Sequence, residues 1–546
     1  MLAHKATRTV CHCTSRYITS HITMSSRFAC AATRATIGAS RSTAIRPSRY
    51  LRSRPLHTMA SSTRSATAAT TQSLSTFQRP FASIEHPNHD DTPNFIDASL
   101  LAHRSTGEWL RAAVCLQLCQ FPFLVRNAEV LLHVSRTILG RRVTNEVLRR
   151  TFFGHFCAGE DEHSIQPVLR RLQQHSIGGI LDYAVESDGS TQSLPEIERQ
   201  CDERVPDFQK CVRAAANNQD GGYVAVKMTA LANPQLLARV STAIVESRRR
   251  FDAMSNDGRD VTGDGLKQII SQDAADSVQR SVDGKLDPVA CPSMTGSHHS
   301  SQLAEPQLSS AEMELLQTVL KRAGEVADTA RQNGVRLLID AEQSKYQPAI
   351  DHIVMLLQRQ HNAAGAFPVV YNTYQCYLKD ATHRIQQDVE RAKREGYSFG
   401  AKLVRGAYME TEPAELIHDS IQDTHDCYNH NVRYLLQEGI EHGQIEIMCA
   451  THNAESIALA VDAMQDSVDP SNSFISFAQL YGMSDTLSYP LASRGYRVYK
   501  YLPYGQIDEV MPYLIRRAQE NSSIAGGSQH ELSMMWNAWK RRMWLQ

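Results

Sequence analysis

Short apolar runs alternate with helical periodicity along the chain from residue 176 onward. Eight such runs occur, and most are followed by a charged, polar or glycine-bearing turn and then by a segment with helical spacing of its apolar residues. They span 179–183, 223–228, 336–340, 368–374, 400–405, 445–449, 474–478 and 496–501. Strand followed by helix, repeated eight times, predicts an α/β fold of the (βα)8 TIM-barrel type.

The segment before these runs has a different rhythm. Residues 96–172 keep helical spacing throughout, with Arg and Glu spread over the polar positions, so we predict a helical arm over 85–175 and a catalytic barrel over 176–546. A barrel needs about 250 residues, whereas 176–546 contains 371. Residues 252–310 are rich in Ser, Asp, Gly and Gln, which is typical of a flexible insertion. The chain has no apolar run of 18 residues, so we predict no membrane-spanning helix.

Charge divides the chain more sharply than hydrophobicity does. Lys and Arg number 57 and Asp and Glu 58, a net charge of -1. Residues 1–84 hold 12 of the basic residues and no acidic one, which leaves 45 basic and 58 acidic residues, a net of -13, for the rest. An acidic body argues against nucleic-acid binding, which needs a basic face to neutralise phosphates.

The basic leader has the composition of a targeting segment. It is rich in Arg, Ser, Thr and Ala, which is typical of a mitochondrial transit peptide, and no apolar stretch of about 7 to 15 residues suits a secretory signal. We therefore predict that residues 1–84 form a transit peptide and disordered leader. The alternative is a disordered tail without a targeting role. Three of the 12 cysteines lie in this leader, and the other nine should stay reduced in the mitochondrial matrix.

Familiar nucleotide and metal motifs are missing from the chain. It has no GxGxxG after a strand, no GxxxxGK[ST] loop, no GxSxG elbow, no HExxH and no CxxC pair. Asp260, Asp264 and Gly265 resemble the start of a calcium loop, but Ser271 stands where a bidentate Glu is required. We predict no metal site, and any redox nucleotide must be held by the barrel itself.

Polar residues gather where the predicted strands end. Because these ends point at one shared site in a barrel, we expect a common active site there, although structural ion pairs could explain any single residue. The residues are Lys227, Asp340, Glu342, Asn372, Gln375, Lys402, Arg405, Thr451, His452, Asn453, Gln479 and Tyr501. Lys402 and Arg405 suit a pyrophosphate, and Asn372, Thr451 and His452 suit the heteroatoms of a flavin ring.

A tyrosine and two adjacent arginines near the C-terminus form the most specific local feature. Residues three and four apart share a helix face, so Tyr513, Arg516 and Arg517 can project together. Paired guanidinium groups suit a carboxylate, which accepts charge-assisted hydrogen bonds from both. A solvated basic face is the alternative interpretation.

At these residues the chain resembles the mitochondrial proline dehydrogenase (proline oxidase) family, in its monofunctional eukaryotic form. Seven ordered segments between residues 150 and 525 carry the resemblance: VKMTAL at 226–231, IDAE at 339–342, YNTYQ at 371–375, KLVRGAY at 402–408, ATHN at 450–453, YGM at 481–483, and YLPYG at 501–505 followed by YLIRR at 513–517 and EN at 520–521. The resemblance implies a distorted (βα)8 barrel that holds non-covalent FAD, with the substrate arginines on a final helix.

The resemblance also assigns roles to residues. Substrate binding falls to Lys227, Leu403, Tyr408, Tyr501, Tyr513, Arg516 and Arg517, with Asp340 and Lys402 as the catalytic pair. The cofactor side comprises Ala341, Asn372, Lys402, Arg405, Gly406, Ala407, Thr451, His452, Asn453, Gln479 and Glu520. Bacterial relatives usually carry Gln at the position of Asn372, which is one methylene shorter.

The implied reaction is oxidation of L-proline to 1-pyrroline-5-carboxylate, with hydride passing from C5 to flavin N5 and electrons then passing to ubiquinone at the matrix side of the mitochondrial inner membrane. The alternatives are hydroxyproline dehydrogenase, more remotely another flavin barrel such as methylenetetrahydrofolate reductase, and a catalytically silent flavin-barrel binding protein. The resemblance also implies that Tyr501 favours proline, because the family members that oxidise hydroxyproline carry a smaller residue at this position.

An apolar helical stripe near the C-terminus is a possible membrane contact. It consists of Leu532, Trp536, Trp539, Met543 and Trp544, with three basic residues beside it at 540–542. Such a helix can lie in a membrane interface. The alternative is that this segment packs against the barrel as a final helix.

Overall fold

The computed structural model describes residues 105–184, 193–216, 222–256, 308–464, 469 and 474–523. Eight parallel strands form a closed barrel in the order β1 to β8, each paired with its neighbours in sequence and β8 with β1. The strands are β1 Ile177–Tyr183, β2 Tyr223–Val226, β3 Arg336–Ile339, β4 Val370–Gln375, β5 Phe399–Val404, β6 Ile445–Ala450, β7 Ile475–Leu480 and β8 Val498–Tyr504. The predicted (βα)8 barrel is confirmed.

Helices precede the barrel and surround it. Their bounds are α1 Thr106–Cys119, α2 Pro122–Arg126, α3 Ala128–Leu148, α4 Gly154–Phe156, α5 Gln166–Gln173, α6 Leu194–Ala215, α7 Met228–Leu231, α8 Pro234–Asn256, α9 Ser310–Gln332, α10 Gln347–His361, α11 Ala381–Glu395, α12 Ile421–His442, α13 Ala454–Met464, α14 Asp485–Ser493 and α15 Met511–Ser523. A π-helical turn, Arg149–Phe153, links α3 to α4. No described helix is long and apolar enough to cross a membrane.

Local sequence accounts for several helix ends. Helices α1, α9 and α12 begin with a capping box, in which Ser105, Ser309 and Ser420 exchange hydrogen bonds with an acidic residue three positions on. Helices α11 and α12 end at Gly396 and Gly443, both in the left-handed conformation that glycine adopts without steric cost. These capping residues can be recognised from the local sequence without knowledge of the barrel.

The apolar core has two layers separated by the barrel wall. Outward-facing strand residues pack against the surrounding helices in the large outer cluster. Inward-facing residues of the strands fill the barrel with a smaller cluster that contains Tyr223, Tyr371 and Tyr499. Below these rings, Arg336 Nε donates to Glu446 Oε2 at 3.1 Å, which closes the N-terminal end with a partly buried ion pair. The C-terminal end of the barrel is the end at which barrel enzymes carry their active sites.

Some sequence-based boundaries change. Helix α8 runs to Asn256 and α9 begins at Ser310, so 252–256, placed in the flexible insertion, are helical. The rest of that insertion up to residue 307 lies outside the described residues, as do the leader, residues 85–104 of the arm, the calcium-loop lookalike and the C-terminal stripe. The described part of the arm is helical over most of 106–173.

Candidate active site

Two buried ion pairs stand at the C-terminal end of the barrel. Lys227 directly follows β2, and its Nζ lies 3.4 Å from Oδ1 of Asp182, near the end of β1. Their side chains are 8% and 1% exposed. Asp182 was missed from the sequence, although an acid inside an otherwise apolar strand is a recognisable signal, because buried charges persist only when paired.

The second pair is joined by a tyrosine. Lys402 Nζ, on β5, lies 2.5 Å from Asp340 Oδ1, just after β3. The Tyr501 hydroxyl donates to Asp340 Oδ2 at 2.7 Å, and Lys402 Nζ lies 5.1 Å from the centre of the Tyr501 ring. Burial, followed by the charges of Asp182 and Asp340, raises the pKa of Tyr501 well above its ordinary value. Tyr501 therefore stays protonated and acts as a donor.

Helix α15 carries the paired arginines. Tyr513 packs with Phe153, Met483 and their neighbours in a separate apolar cluster. Arg517 is buried, pairs with Glu520 and lies with its guanidinium carbon 5.1 Å from the Tyr513 ring centre.

Two buried donors on this helix lack partners. Within the residues that the structure describes, the Tyr513 hydroxyl and Arg517 Nε have no hydrogen-bond partner. Buried donors are nearly always satisfied in proteins, so these two fit a ligand that brings acceptors. The guanidinium of Arg516, half-buried, lies 5.8 Å from the Tyr408 ring. The arrangement suits a small anion with a ring beside it.

Arg405 forms a second cationic centre on the side predicted to hold the cofactor. Its guanidinium donates to His425 Nδ1 at 3.0 Å, Thr451 Oγ1 at 2.6 Å and Ser456 Oγ at 2.9 Å. Burial lowers its pKa. It makes no ion pair with a carboxylate among the described residues. A largely buried guanidinium held only by neutral groups is suited to an external anion such as a pyrophosphate.

The backbone next to Arg405 is shaped for close approach. Gly406 has φ 144°, and a Cβ at this position would lie 1.3 Å from Cδ1 of Tyr377, so no other residue fits without rearrangement. The Ala407 N–H donates to Gln375 Oε1 at 3.3 Å. Both Gly406 and Ala407 are exposed, which leaves this backbone accessible to a ligand. These features fit the predicted FAD.

The loop after β6 is held by internal hydrogen bonds. Thr451 Oγ1 also accepts from Asn453 N at 3.1 Å, and its carbonyl accepts from Gln479 Nε2 at 3.2 Å. His452 Nδ1 lies 2.7 Å from Ser484 Oγ, and its Nε2 accepts from the Leu480 N–H at 3.4 Å. Burial lowers the pKa of His452 to about 4, so its ring is neutral at physiological pH.

Two predicted site residues face away from the barrel interior. Asn372 pairs in register with Ala401, and its Nδ2 donates to Asp351 Oδ1 on α10 at 3.1 Å. Leu403 is fully buried in the outer cluster between the barrel and its helices. Successive strand residues point to opposite sides, so these positions cannot line the site in this arrangement. This orientation does not support the predicted flavin contact of Asn372 or the predicted substrate contact of Leu403.

Gln375 takes the inward position that Asn372 was expected to occupy. It is three residues further along β4 and therefore faces the other side of the sheet. Its Nε2 donates to the Glu342 carbonyl at 2.8 Å, and its Oε1 accepts from the Tyr377 hydroxyl at 3.1 Å. The adjoining Ala341 is half-buried just after β3. Strand alternation within the YNTYQ segment was the available signal for Gln375.

No group of three His, Cys, Asp or Glu side chains able to hold a metal ion occurs in the described part of the chain.

A family model described as proline dehydrogenase matches residues 165–530, which is more than half of the chain. The chain belongs to the proline dehydrogenase family. This assignment agrees with the resemblance inferred from the seven segments, and members of the family are oxidoreductases.

Curated relatives extend over most of the chain. Human proline dehydrogenase 1, mitochondrial, is 33% identical over 528 residues, covering 81% of this chain and 88% of the relative. The Caenorhabditis elegans protein of the same name is 32% identical, covering 81% and 86%. Hydroxyproline dehydrogenase of Xenopus laevis is also 32% identical, over 465 residues, covering 83% and 91%. The two named activities therefore have nearly equal identity to this chain.

Among solved structures, proline utilization A from Bdellovibrio bacteriovorus inactivated by N-propargylglycine matches with a TM-score of 0.51 at 18% identity. The match covers 78% of this chain but only 38% of that larger one. At this identity the likeness supports the fold alone, which is the barrel described above.

Proposed function

We propose that the protein oxidises L-proline to 1-pyrroline-5-carboxylate with a non-covalent FAD. The observation that carries this proposal is the set of cations and unsatisfied donors at the C-terminal end of the barrel: Lys227, Arg516 and Arg517, with the Tyr513 hydroxyl and Arg517 Nε lacking partners among the described residues. A carboxylate brings two oxygens, which accept several charge-assisted hydrogen bonds.

Binding of the carboxylate orients the substrate ring. Three cations hold the carboxylate at one place, and this fixes where the ring carbon C5 lies, which is a positioning contribution to the rate. Tyr408 beside Arg516 and Tyr501 on the barrel wall border the ring space. A bound FAD supplies the two-electron acceptor for the hydride that leaves C5.

Arg405, with the Gly406 and Ala407 backbone, would hold the pyrophosphate of that cofactor. Gln375, Thr451 and His452 offer polar atoms for its ring. These roles rest on the unpaired charge of Arg405, the close approach at Gly406 and the polar loop after β6. Ala341, Asn453, Gln479 and Glu520 remain predicted members of this side.

Asp340 positions the catalytic cation. Its two carboxylate oxygens are engaged by Lys402 and Tyr501, which leaves the Lys402 ammonium fixed at the reacting face. A fixed cation in a site that excludes water stabilises developing negative charge more strongly than water does.

Neither Asp340 nor Tyr501 is suited to remove the amine proton. Both Asp340 oxygens already accept contacts, and the raised pKa of Tyr501 keeps its proton in place. We infer that proline enters with a neutral amine or that water takes its proton.

Electrons then pass to ubiquinone, and the protein works at the matrix side of the mitochondrial inner membrane. The basic, acid-free leader and the mitochondrial names of the relatives support the organelle. This acceptor and this location are expectations for the family that proline-dependent reduction of a short-chain quinone would test.

Hydroxyproline oxidation is the second candidate, because the Xenopus relative is about as similar as the human one. Tyr501 argues against it, since its hydroxyl is committed to Asp340 and its ring occupies the barrel wall. Steady-state kinetics with both substrates separates the candidates. We expect kcat/KM for L-proline to exceed that for 4-hydroxyproline at least tenfold, about 1.4 kcal/mol. Equal values would overturn the preference, and no turnover of either would favour a silent binding protein.

A further inference from the structure

Helix α3 exposes its apolar side chains instead of burying them. Val130, Val134, Ile138, Leu139, Val143 and Val147 are between 44% and 74% exposed, and we call these six the α3 apolar face. In the whole helix only Thr144 is buried. A helix packed on a domain turns its apolar residues toward the core, so this face is built for contact with something else.

The six residues fall into two sets, one on each side of a break in the helix. Val130, Val134 and Ile138 are four residues apart, and Leu139, Val143 and Val147 repeat the spacing, which places each set on one side of its helical segment. The two sets meet at Gly140, where φ 76° and ψ 155° interrupt the helix. Exposed apolar residues grouped in this way are typical of an interaction site.

Basic residues flank the face. Residues 122–150 contain six Arg and two Glu, a net charge of +4, within a body of net -13. Arg136 and Arg141 pair with Asp508. Arg126 and Arg142 are exposed and make no ion pair with any residue that the structure describes. Arg126 and Arg142 therefore place positive charge beside the apolar face that the described residues do not neutralise.

We propose that helix α3 lies in the interface of an anionic lipid bilayer, with its apolar face in the lipid and its arginines at the headgroups. An amphipathic helix with basic flanks binds such a surface by burial of apolar area and by attraction to anionic lipid. This inference deepens the proposed peripheral membrane contact and does not depend on which substrate the barrel oxidises.

Charge argues against two other occupants, the C-terminal segment and a second copy of the chain. The C-terminal segment 524–546 carries three basic residues and one acidic residue, a net of +2, so it would repel the +4 segment. A second copy of the chain would bring +4 against +4 at a symmetric contact. A lipid surface of negative charge complements both the apolar and the basic features.

Vesicle co-sedimentation tests the proposal with a matched pair of variants. Ile138 and Ile421 are both 74% exposed, but Ile421 is on α12, outside the α3 apolar face. Processed protein from mitochondria of expressing cells is mixed with phosphatidylcholine vesicles with or without cardiolipin. We expect Ile138→Asp to weaken binding to cardiolipin vesicles about tenfold and Ile421→Asp to bind as the unchanged protein does. Equal binding by both variants would overturn the proposal.

Charge and alternative occupants are tested in the same assay. Arg142→Gln should weaken binding about threefold and reduce its dependence on salt. A chain lacking 524–546 should still bind in an Ile138-dependent way. Vesicle binding that appears only after this deletion would mean that the segment covers α3. Light scattering that shows a dimer disrupted by Ile138→Asp, without vesicle binding, would assign the face to a second copy.

Vesicle binding can be measured separately from proline oxidation. With a soluble electron acceptor, Ile138→Asp should oxidise proline like the unchanged protein, because α3 is not part of the site. Loss of vesicle binding with unchanged turnover supports the membrane surface. Absence of proline turnover in the unchanged protein would contradict the proposed function and leave the vesicle result standing.

Discussion

Replacement of Arg517 by Met tests the carboxylate site most directly at the level of one side chain. Arg517 is 8% exposed, its Nε has no hydrogen-bond partner within the described residues, and its partner Glu520 has a side chain that is 29% exposed. Truncating one member of a buried charge pair costs about 2–5 kcal/mol. Lys227 and Arg516 would still hold the substrate carboxylate in the variant, so we take the lower part of this range, about 2–3 kcal/mol, or a loss of about 30- to 140-fold in kcat/KM.

The loss should fall mainly on KM, because the carboxylate contact exists in the ground state as well as in the transition state. The assay measures kcat and KM separately for L-proline with a soluble acceptor, and flavin content is checked by absorbance. Pyrrolidine, which lacks the carboxylate, should be oxidised by the variant and the unchanged protein with similar kcat/KM.

Arg199→Met is the matched control. Arg199 also pairs with a glutamate three residues away, Glu196, but on the exposed surface of α6. We expect no kinetic change from it. A near-normal KM for proline in Arg517→Met, or an equal loss on pyrrolidine, would refute the assignment of Arg517 to the carboxylate.

Three further outcomes are expected. Gly406→Ala should abolish flavin retention during gel filtration, because its Cβ would overlap the Tyr377 ring; retention of flavin would contradict the close-approach argument. Gln375→Ala should weaken FAD binding about tenfold, a lost hydrogen bond of about 1.4 kcal/mol, whereas Asn372→Ala should not, and the reverse result would restore the original assignment. Burial lowers the pKa of His352 to about 4, so the unfolded chain binds a proton there at higher pH than the folded chain does. Its contribution to stability is therefore complete above its ordinary value of 6.5 and is lost as pH falls. From about pH 7 to about pH 5 it should decrease the free energy of unfolding by about 2 kcal/mol. Urea titrations should show a smaller pH dependence in His352→Gln, and an unchanged dependence would exclude this group.

The strands could be predicted because parallel strands buried on both faces appear in the sequence as apolar runs between helical segments. All eight runs became strands in the predicted order, with ends shifted by a few residues. Strand β8 continues to Tyr504, so Tyr501 stands within the strand rather than at its end.

The direction of each side chain was harder to predict. A motif places a residue on a strand but does not say which side it faces, and one step along the strand reverses the answer. This is why Asn372 and Leu403 are expected in the site from the sequence although they pack outward, and why Gln375, named among the polar residues at the strand ends, has no predicted cofactor role. Asp182 was missed because its partner, Lys227, comes from another strand.

Anaerobic addition of L-proline to the purified, flavin-containing protein tests the central claim most directly. The account predicts that the visible absorbance of the flavin is bleached, that the product is 1-pyrroline-5-carboxylate, and that Arg517→Met requires far more proline for the same effect. Bound FAD that keeps its oxidised spectrum in saturating proline would contradict the account.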